Sequence, residues 1–485
     1  MTSQSKLVLF LSSSLLLSSF SFAVEKSPQP RDERFDDQLQ LAKPDLSTQK
    51  PQISEKRDDK HTLSMTKEEL AKHPDLIVRG LIPAVLQNNG DAVQLLLPLY
   101  QNLPKQDPFL LEWATAINAR EEGRFSEAVT RYRTLFSQDS TILPLRYQLA
   151  QALFLNNDNE AAKDQFQKLR AEQVSPESIV MIDQYLSALN RRDQWKFQGG
   201  LSFLNESNIN NAPKAGTRIG NWNAWERESA TGFSYFAEAE KKWSLPHNYF
   251  TKFSIEGSGK YYWDNKKYND LIGHIGLGYG YSDARFNMQV TPYISKRWYG
   301  GGLNGGDSLK QYTDTYGASL SMGYWLSQNF KYSALYNFGY ERYRKEVDKL
   351  NYNGAVHSLT NSLMFIPSST QFWSISLDLT KKYAADRSNA YNRIGTRLTW
   401  GQEWPLGITT STTLGYAKRN YLEQSFIGMK QRNNEYSASV SLWHKQFHYA
   451  GFTPKVTWSY SKTKSNMAIY SYDKNQVFIE VGKSF

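Results

Sequence analysis

The sequence predicts a chain of mixed class, α plus membrane β: an N-terminal α-helical repeat domain followed by a 14-stranded antiparallel transmembrane β-barrel. Three observations carry this reading. The chain opens on an export-type segment, the helical stretch that follows repeats itself every 34 residues, and beyond residue 195 the apolar period drops from 3.6 to 2.

Lys6 precedes an apolar, serine-diluted run from Leu7 to Phe22, and Ser21-Phe22-Ala23 sets small residues at the −3 and −1 positions of a cleavage site. Residues 1–23 therefore read as a secretory signal peptide, cleaved after Ala23. A membrane anchor is the bland alternative, but the run is short for a bilayer span of about 20 residues. No Cys follows Ala23, so the mature chain does not read as a lipoprotein. The sequence has no Cys at all, which excludes disulfides and thiolate metal sites. No run of 18 apolar residues follows, so an exported chain with this composition is either soluble or a barrel.

The net charge of +10 would suggest nucleic acid in a cytosolic protein. Export argues against that partner, and the surplus instead favours acidic partners or lipid headgroups, or simply solvates the surface. Residues 24–64 mix Gln, Asp, Lys, Arg and Pro without apolar periodicity and read as a disordered periplasmic leader.

From residue 65 to 192 the apolar spacing is helical. Ala116, Ala128, Tyr132 and Leu135 recur 34 residues later as Ala150, Ala162, Phe166 and Leu169, with Gly123 replaced by Asn157 at the turn between paired helices. That is the period of a tetratricopeptide (TPR) repeat. The small residues let the paired helices approach, and Gly or Asn tolerates a left-handed turn. A ragged copy, Gly90-Asp91-Ala92 with Leu96 and Leu99, precedes these two. By resemblance to TPR domains, Trp113, Arg120, Tyr147, Gln151 and Phe154 would face a concave groove suited to a client peptide. Trp113 and Tyr147 equally suit packing between repeats.

After Trp195 the composition changes: 12 of the 13 Trp lie in residues 195–485. Tyr316, Ala318, Leu320, Met322 and Tyr324 alternate with Gly and Ser, as do Trp373, Ile375, Leu377 and Leu379 with polar partners. Aromatics gather near strand ends, as in Tyr261-Tyr262-Trp263, Trp298-Tyr299 and Tyr324-Trp325, in the manner of interfacial girdles. The strands are placed at 195–205, 229–243, 249–263, 269–282, 285–299, 312–326, 330–344, 354–366, 371–384, 390–404, 408–421, 434–447, 451–463 and 475–485. Short turns, including 244–248, 405–407 and 448–450, fall on the periplasmic side, and the longer loops 206–228, 300–311 and 422–433 face outward. Pro292 and Pro454 sit inside two of these strands and weaken their boundaries. Val477, Ile479, Val481 and Phe485 give the last strand an apolar alternation closed by an aromatic carboxy-terminus, resembling the signal read by the barrel assembly machinery.

No catalytic or cofactor constellation stands out. The seven His make no metal-ligand spacing, no Gly-x-Ser-x-Gly elbow is present, and His274 and His357 read as lumen filling. Glu238, Glu240, Glu256, Lys260, His274 and Asp378 fall on the polar side of their strands, where they line a pathway or pair with one another; a cation on the lipid face would cost roughly 2–4 kcal/mol at midplane.

Signal, helical repeats and barrel in one chain, with the Asn-rich stretch Glu206-Ser-Asn208-Ile-Asn210-Asn211-Ala-Pro213 after the first strand, resemble the surface lipoprotein assembly modulators, the Slam family. The resemblance covers nearly the whole mature chain. It implies a monomeric outer-membrane translocon, not an enzyme, that delivers surface lipoproteins, or related soluble haem- or metal-acquisition proteins, to the cell surface. A porin-like channel with a periplasmic accessory domain is the alternative.

Overall fold

The computed structural model describes residues 66–484 apart from 173, 220–221, 426–427, 445 and 448–451. The signal cleavage after Ala23, the leader 24–64, the turn 448–450 and Phe485 lie outside the described residues.

Among the described residues eight helices come first: α1 (Lys67–Leu70), α2 (Pro74–Leu86), α3 (Gly90–Gln101), α4 (Pro108–Glu121), α5 (Phe125–Gln138), α6 (Leu143–Leu155), α7 (Asn159–Ala171) and α8 (Pro176–Arg192). Their starts are written in the sequence. Asp107 caps α4 through Phe109 N at 2.8 Å, Ser175 caps α8 through Ser178 N at 3.2 Å, and each cap is followed by Pro at the first helical position. The turns inside three helical pairs are left-handed at equivalent points, Asn88 (φ 57°), Gly123 (φ 75°) and Asn157 (φ 60°). Only Asn and Gly take this conformation at low cost, which is why they occupy these points. The repeated Ala116, Ala128, Ala150 and Ala162 are fully buried at the helix crossings, beside Tyr132, Leu135, Phe166 and Leu169. Each of the four large side chains contributes about 1.5–3 kcal/mol by leaving water. A longer side chain at any of the four alanines would force the pair apart.

Fourteen strands then close into an antiparallel barrel: β1 (Trp195–Glu206), β4 (Ala230–Ser244), β5 (Tyr249–Tyr262), β6 (Asp270–Ser282), β7 (Phe286–Tyr299), β8 (Lys310–Trp325), β9 (Phe330–Tyr343), β10 (Gly354–Ser368), β11 (Gln371–Lys382), β12 (Tyr391–Glu403), β13 (Ile408–Gln424), β14 (Lys430–His444), β15 (Thr453–Ser465) and β16 (Tyr472–Ser484). A two-stranded hairpin, β2 (Arg218–Ile219) with β3 (Trp222–Asn223), lies in the first long loop, and α9 (Glu346–Tyr352) lies in the loop between β9 and β10. Each barrel strand pairs with its sequence neighbour, and β1 pairs with β16 to close the ring.

Alternation sorts the two faces. Leu277, Ile375, Ile394, Leu414 and Ile479 are more than half exposed outside, whereas Ser376, Thr399, Thr413 and Ser461 are buried inside. A solvent-facing sheet with such an apolar exterior would aggregate, so this surface is built for lipid. Inside, hydroxyls link strands across the ladder, as in Ser362–Ser376 at 2.7 Å and Thr399–Thr413 at 3.0 Å. At the short-turn end Trp373 stacks on Trp400, centroids 5.9 Å apart, and Trp404 meets Trp400 edge-on at 6.0 Å.

Several expectations need adjustment. Pro292 stays within β7, but the β6–β7 ladder skips from Gly276–Tyr293 to Tyr279–Val290, because proline has no N–H to give. Pro454 is the second residue of β15, opposite Val481. Strand β14 starts at Lys430 and β16 at Tyr472, earlier than the apolar alternation does. Tyr262 and Tyr299 are not girdle residues: their parity turns them inward, while Tyr261 faces lipid. His357 is not lumen filling. Its neighbours Ser358 and Thr360 take the inward parity, and its ring reaches the outward Tyr336, whose Oη lies 2.7 Å from His357 Nδ1.

Candidate functional site

The helical array carries a line of polar contacts across its repeats. Arg120 Nη1 donates to Asn88 Oδ1 at 2.5 Å, Asn88 Nδ2 donates to Gln151 Oε1 at 2.8 Å, and Gln151 Nε2 donates to Tyr185 Oη at 3.2 Å. Arg120 is itself buried, with Nη2 2.6 Å from Glu121 Oε1. Trp113 is buried, and its indole N–H donates to Gln148 Oε1 at 2.6 Å; Gln148 passes the contact to the Val85 carbonyl at 2.7 Å. Tyr147 is half-buried, edge-on to Phe166 at 6.3 Å. Phe154 is buried against Tyr185 at 5.0 Å and under the Arg192 guanidinium at 4.0 Å. The structure therefore brings Arg120 and Gln151 into one network with Phe154 next to it through Tyr185, and sets Trp113 in a separate inter-repeat contact. Of the five residues, Tyr147 and Gln151 keep part of their surface open.

The array is fastened to the short-turn rim of the barrel. Asp193, directly after α8, accepts from Ser244 N at 3.1 Å and from Ser244 Oγ at 2.8 Å, and its carbonyl accepts from Lys241 Nζ at 2.5 Å. Asn157 Nδ2 donates to the Asp283 carbonyl at 3.0 Å, Asn159 Nδ2 to Ser244 Oγ at 2.9 Å, and Asn248 Nδ2 to the Asn156 carbonyl at 2.6 Å. The left-handed turn of the repeat thus also serves as a foot on two barrel turns. Burial pulls the Arg192 guanidinium down to about 10, still charged at neutral pH, and it holds Asn159 Oδ1 at 2.6 Å.

Inside the barrel, charge is mostly paired. Glu435 lies between Arg393 and Arg419, both at 2.8 Å; Asp378 takes Arg397 at 2.7 Å; Asp270 takes Arg297 at 2.6 Å. Glu240 lies between Lys252 (3.3 Å) and Lys196 (3.5 Å). Lys260 reaches Glu206 at 3.7 Å. Glu238, Glu256 and His274 stand side by side in register across β4, β5 and β6.

The outer mouth is filled on one side by a cluster that the sequence reading did not anticipate. Ile209 packs with Tyr262, Tyr268, Tyr299, Tyr312 and Tyr343, and the Asn-rich stretch ties itself over them. Asn208 Oδ1 accepts from Ala212 N at 2.8 Å, and Asn210 Nδ2 donates to the Glu226 carbonyl at 2.6 Å. Strand parity would have separated the inward Tyr262 from the outward Tyr261; Ile209, in a loop, has no period to reveal it.

The ring closes at its weakest ladder. Among the described residues β1 meets β16 over five residue pairs, Gln198–Ser484 to Ser202–Glu480, against twelve between β1 and β4. Gly200 faces Gly482 there. Above this zipper the strands meet through side chains, Glu206 with Lys474 at 3.6 Å and Asn208 Nδ2 with the Asp473 carbonyl at 3.5 Å. Val477 and Ile479 of β16 face lipid.

Two family models match the chain: "Surface lipoprotein assembly modifier" over residues 195–485, and the N-terminal TPR repeats of the same family over residues 63–166. Among similar proteins, surface lipoprotein assembly modifier 1 of Haemophilus influenzae is 59% identical and covers 100% of both chains. Surface lipoprotein assembly modifier 1 of Neisseria meningitidis serogroup B is 34% identical over 97% of this chain and 95% of its own. A hemophilin secretion modulator of Acinetobacter baumannii is 22% identical over 85% of this chain and 86% of its own.

Proposed function

Because this chain belongs to the surface lipoprotein assembly modifier family, we propose that it delivers surface lipoproteins from the periplasm, across the outer membrane in which its barrel sits, to the cell surface. The observation that carries the reading is the fastening of the helical array to the barrel rim through Asp193–Ser244 and Asn157–Asp283, which puts a client held by the array next to the lumen. Signal cleavage after Ala23 would release residues 24–64 as a leader ahead of the array at 65–192. In the array, Tyr147 and Gln151 supply surface for an incompletely folded client, while Trp113, Arg120 and Phe154 fix the shape of the groove from behind. The lumen, with its paired charges, takes a polypeptide without presenting bare ions to it, and folding outside prevents return. The five-pair seam lets a lipid anchor leave sideways into the bilayer, which a continuous ladder would forbid. Val477, Ile479, Val481 and Phe485 recruit the barrel assembly machinery, and the outward apolar face takes outer-membrane lipid. The chain acts as a monomer. The name of the Acinetobacter relative, a hemophilin secretion modulator, favours a secreted protein as a second cargo type for the same path.

Co-expressing a candidate lipoprotein with and without this chain, then digesting intact cells with protease, tests delivery. Client cleavage is expected only when the chain is present; equal exposure in both strains removes the proposal.

A further inference from the structure

Five cations cluster on the outside of the barrel, near the ends of β11–β15 that carry the long loops. Lys381, Lys418, Arg432, Lys462 and Lys464 are exposed and alternate with buried, inward neighbours such as Lys382, Arg419 and Asn433, so they share the parity of the lipid-facing set. Cross-strand register knits them into a belt: Lys381 faces Asn392, Asn392 faces Asn420 and Asn420 faces Arg432, while Lys418 faces Asn434 and Asn434 faces Lys464. Among the described residues none of the five makes an ion pair. The nearby carboxylates already hold other arginines, Glu423 with Arg387 at 3.1 Å and Asp473, which faces Lys462 in register, with Arg227 at 2.8 Å.

A groove of about 330 Å³ runs beneath part of this belt. His357 and Lys381 line its outer lip, and two residues deeper toward the bilayer centre Leu359, Leu379 and Ile394 form an apolar row that ends on Lys418, opposite Ile394. Tyr416 and Tyr436, ring centroids 5.3 Å apart, mark the interfacial depth beside it. Lys381 Nζ rests 4.9 Å from the Tyr383 ring centroid; cations without a carboxylate partner cost little at this depth, about 0–1 kcal/mol, and gain from an anionic headgroup. Lys381 on β11 and Lys418 on β13 are two strand spacings apart and offset by two residues along the strand, roughly 12 Å in all. That is wider than one phosphate and fits two phosphates on a shared sugar headgroup.

We propose that this groove seats an outer-leaflet glycolipid carrying two phosphates, its phosphates at Lys381 and Lys418 and an acyl chain along Leu359, Leu379 and Ile394. The inference deepens the lipid-partner reading above and does not depend on client delivery, because its readout is lipid bound to the purified full-length chain. Native mass spectrometry of the detergent-solubilised chain, titrated with diphosphoryl lipid A, monophosphoryl lipid A or phosphatidylglycerol, is the test. The diphosphoryl lipid is expected to bind at least about fivefold tighter than either other lipid, the value of one phosphate contact, with no displacement by millimolar inorganic phosphate. At roughly fivefold per cation, K381Q/K418Q should weaken that binding about 25-fold, while K296Q/R342Q, outward cations elsewhere on the barrel, should leave it unchanged. If the double variant loses its heat-modifiable fold, K418Q alone is expected to show the fivefold loss. Equal binding of all three lipids, displacement by free phosphate, or wild-type affinity in a folded Lys418 variant overturns the proposal.

Discussion

A disulfide joining β1 to β16 should stop delivery of a lipid-anchored client while leaving the barrel folded. Leu201 and Val481 face each other in the five-pair ladder. Facing residues of an antiparallel pair have Cα atoms about 4.5–5.5 Å apart, inside the roughly 4.4–6.8 Å that a disulfide spans. The sequence contains no other Cys, so L201C/V481C has one possible intramolecular product. An antiparallel ladder averages about one backbone hydrogen bond per residue pair. At about 1 kcal/mol each, the five pairs hold the seam by about 5 kcal/mol, an open fraction on the order of 1 in 5,000. The twelve pairs between β1 and β4 hold by about 12 kcal/mol on the same scale, so opening there is negligible by comparison. Surface display of a lipoprotein client, measured by protease digestion of intact cells before and after a membrane-permeant reductant, reads the result. Display is expected to fall to background in the oxidised variant and to recover on reduction. Normal display with the disulfide fully formed would refute exit through the seam.

Other consequences are as direct. D193A removes the two bonds that its carboxylate takes from Ser244; client display should fall several-fold while heat-modifiable migration of the barrel is unchanged. R120A strips Asn88 and Glu121 of a buried cationic partner and should destabilise the array by about 3 kcal/mol, seen as faster trypsin cleavage within residues 66–192 of the full-length chain. E435Q leaves Arg393 and Arg419 facing each other without a neutralising charge and should lower barrel stability by about 3–5 kcal/mol, read as a lower urea midpoint in refolding gels. I209D puts a carboxylate among the mouth tyrosines and should raise single-channel conductance in planar bilayers, whereas wild-type conductance would show that the cluster does not obstruct the mouth.

The barrel is legible in the sequence because lipid outside and polar filling inside impose opposite demands on successive residues, as at Ile394, Gly395, Thr396, Arg397 and Leu398. Where a strand rises past the hydrocarbon the demand lapses. Lys430, Arg432 and Asn434 face outward in β14 with no apolar partner set, so the alternation begins only at Tyr436 although the strand starts earlier. In the helical array a period of 3.6 identifies which residues point inward but does not separate groove lining from inter-repeat packing. Trp113 and Arg120, seven residues apart on one face of α4, both end up buried for that reason. The fastening of array to barrel was not legible at all: Asp193 and Asn248 are ordinary turn residues, and Ser244 an ordinary strand end, until the fold brings them within hydrogen-bond reach.

Only Asp193 and Gln194 separate the end of α8 from the start of β1, the strand with the weakest neighbour in the ring. So short a coupling leaves no slack. A tilt of α8 would be carried straight into β1 as tension along the strand that completes the closure, with no linker to absorb it.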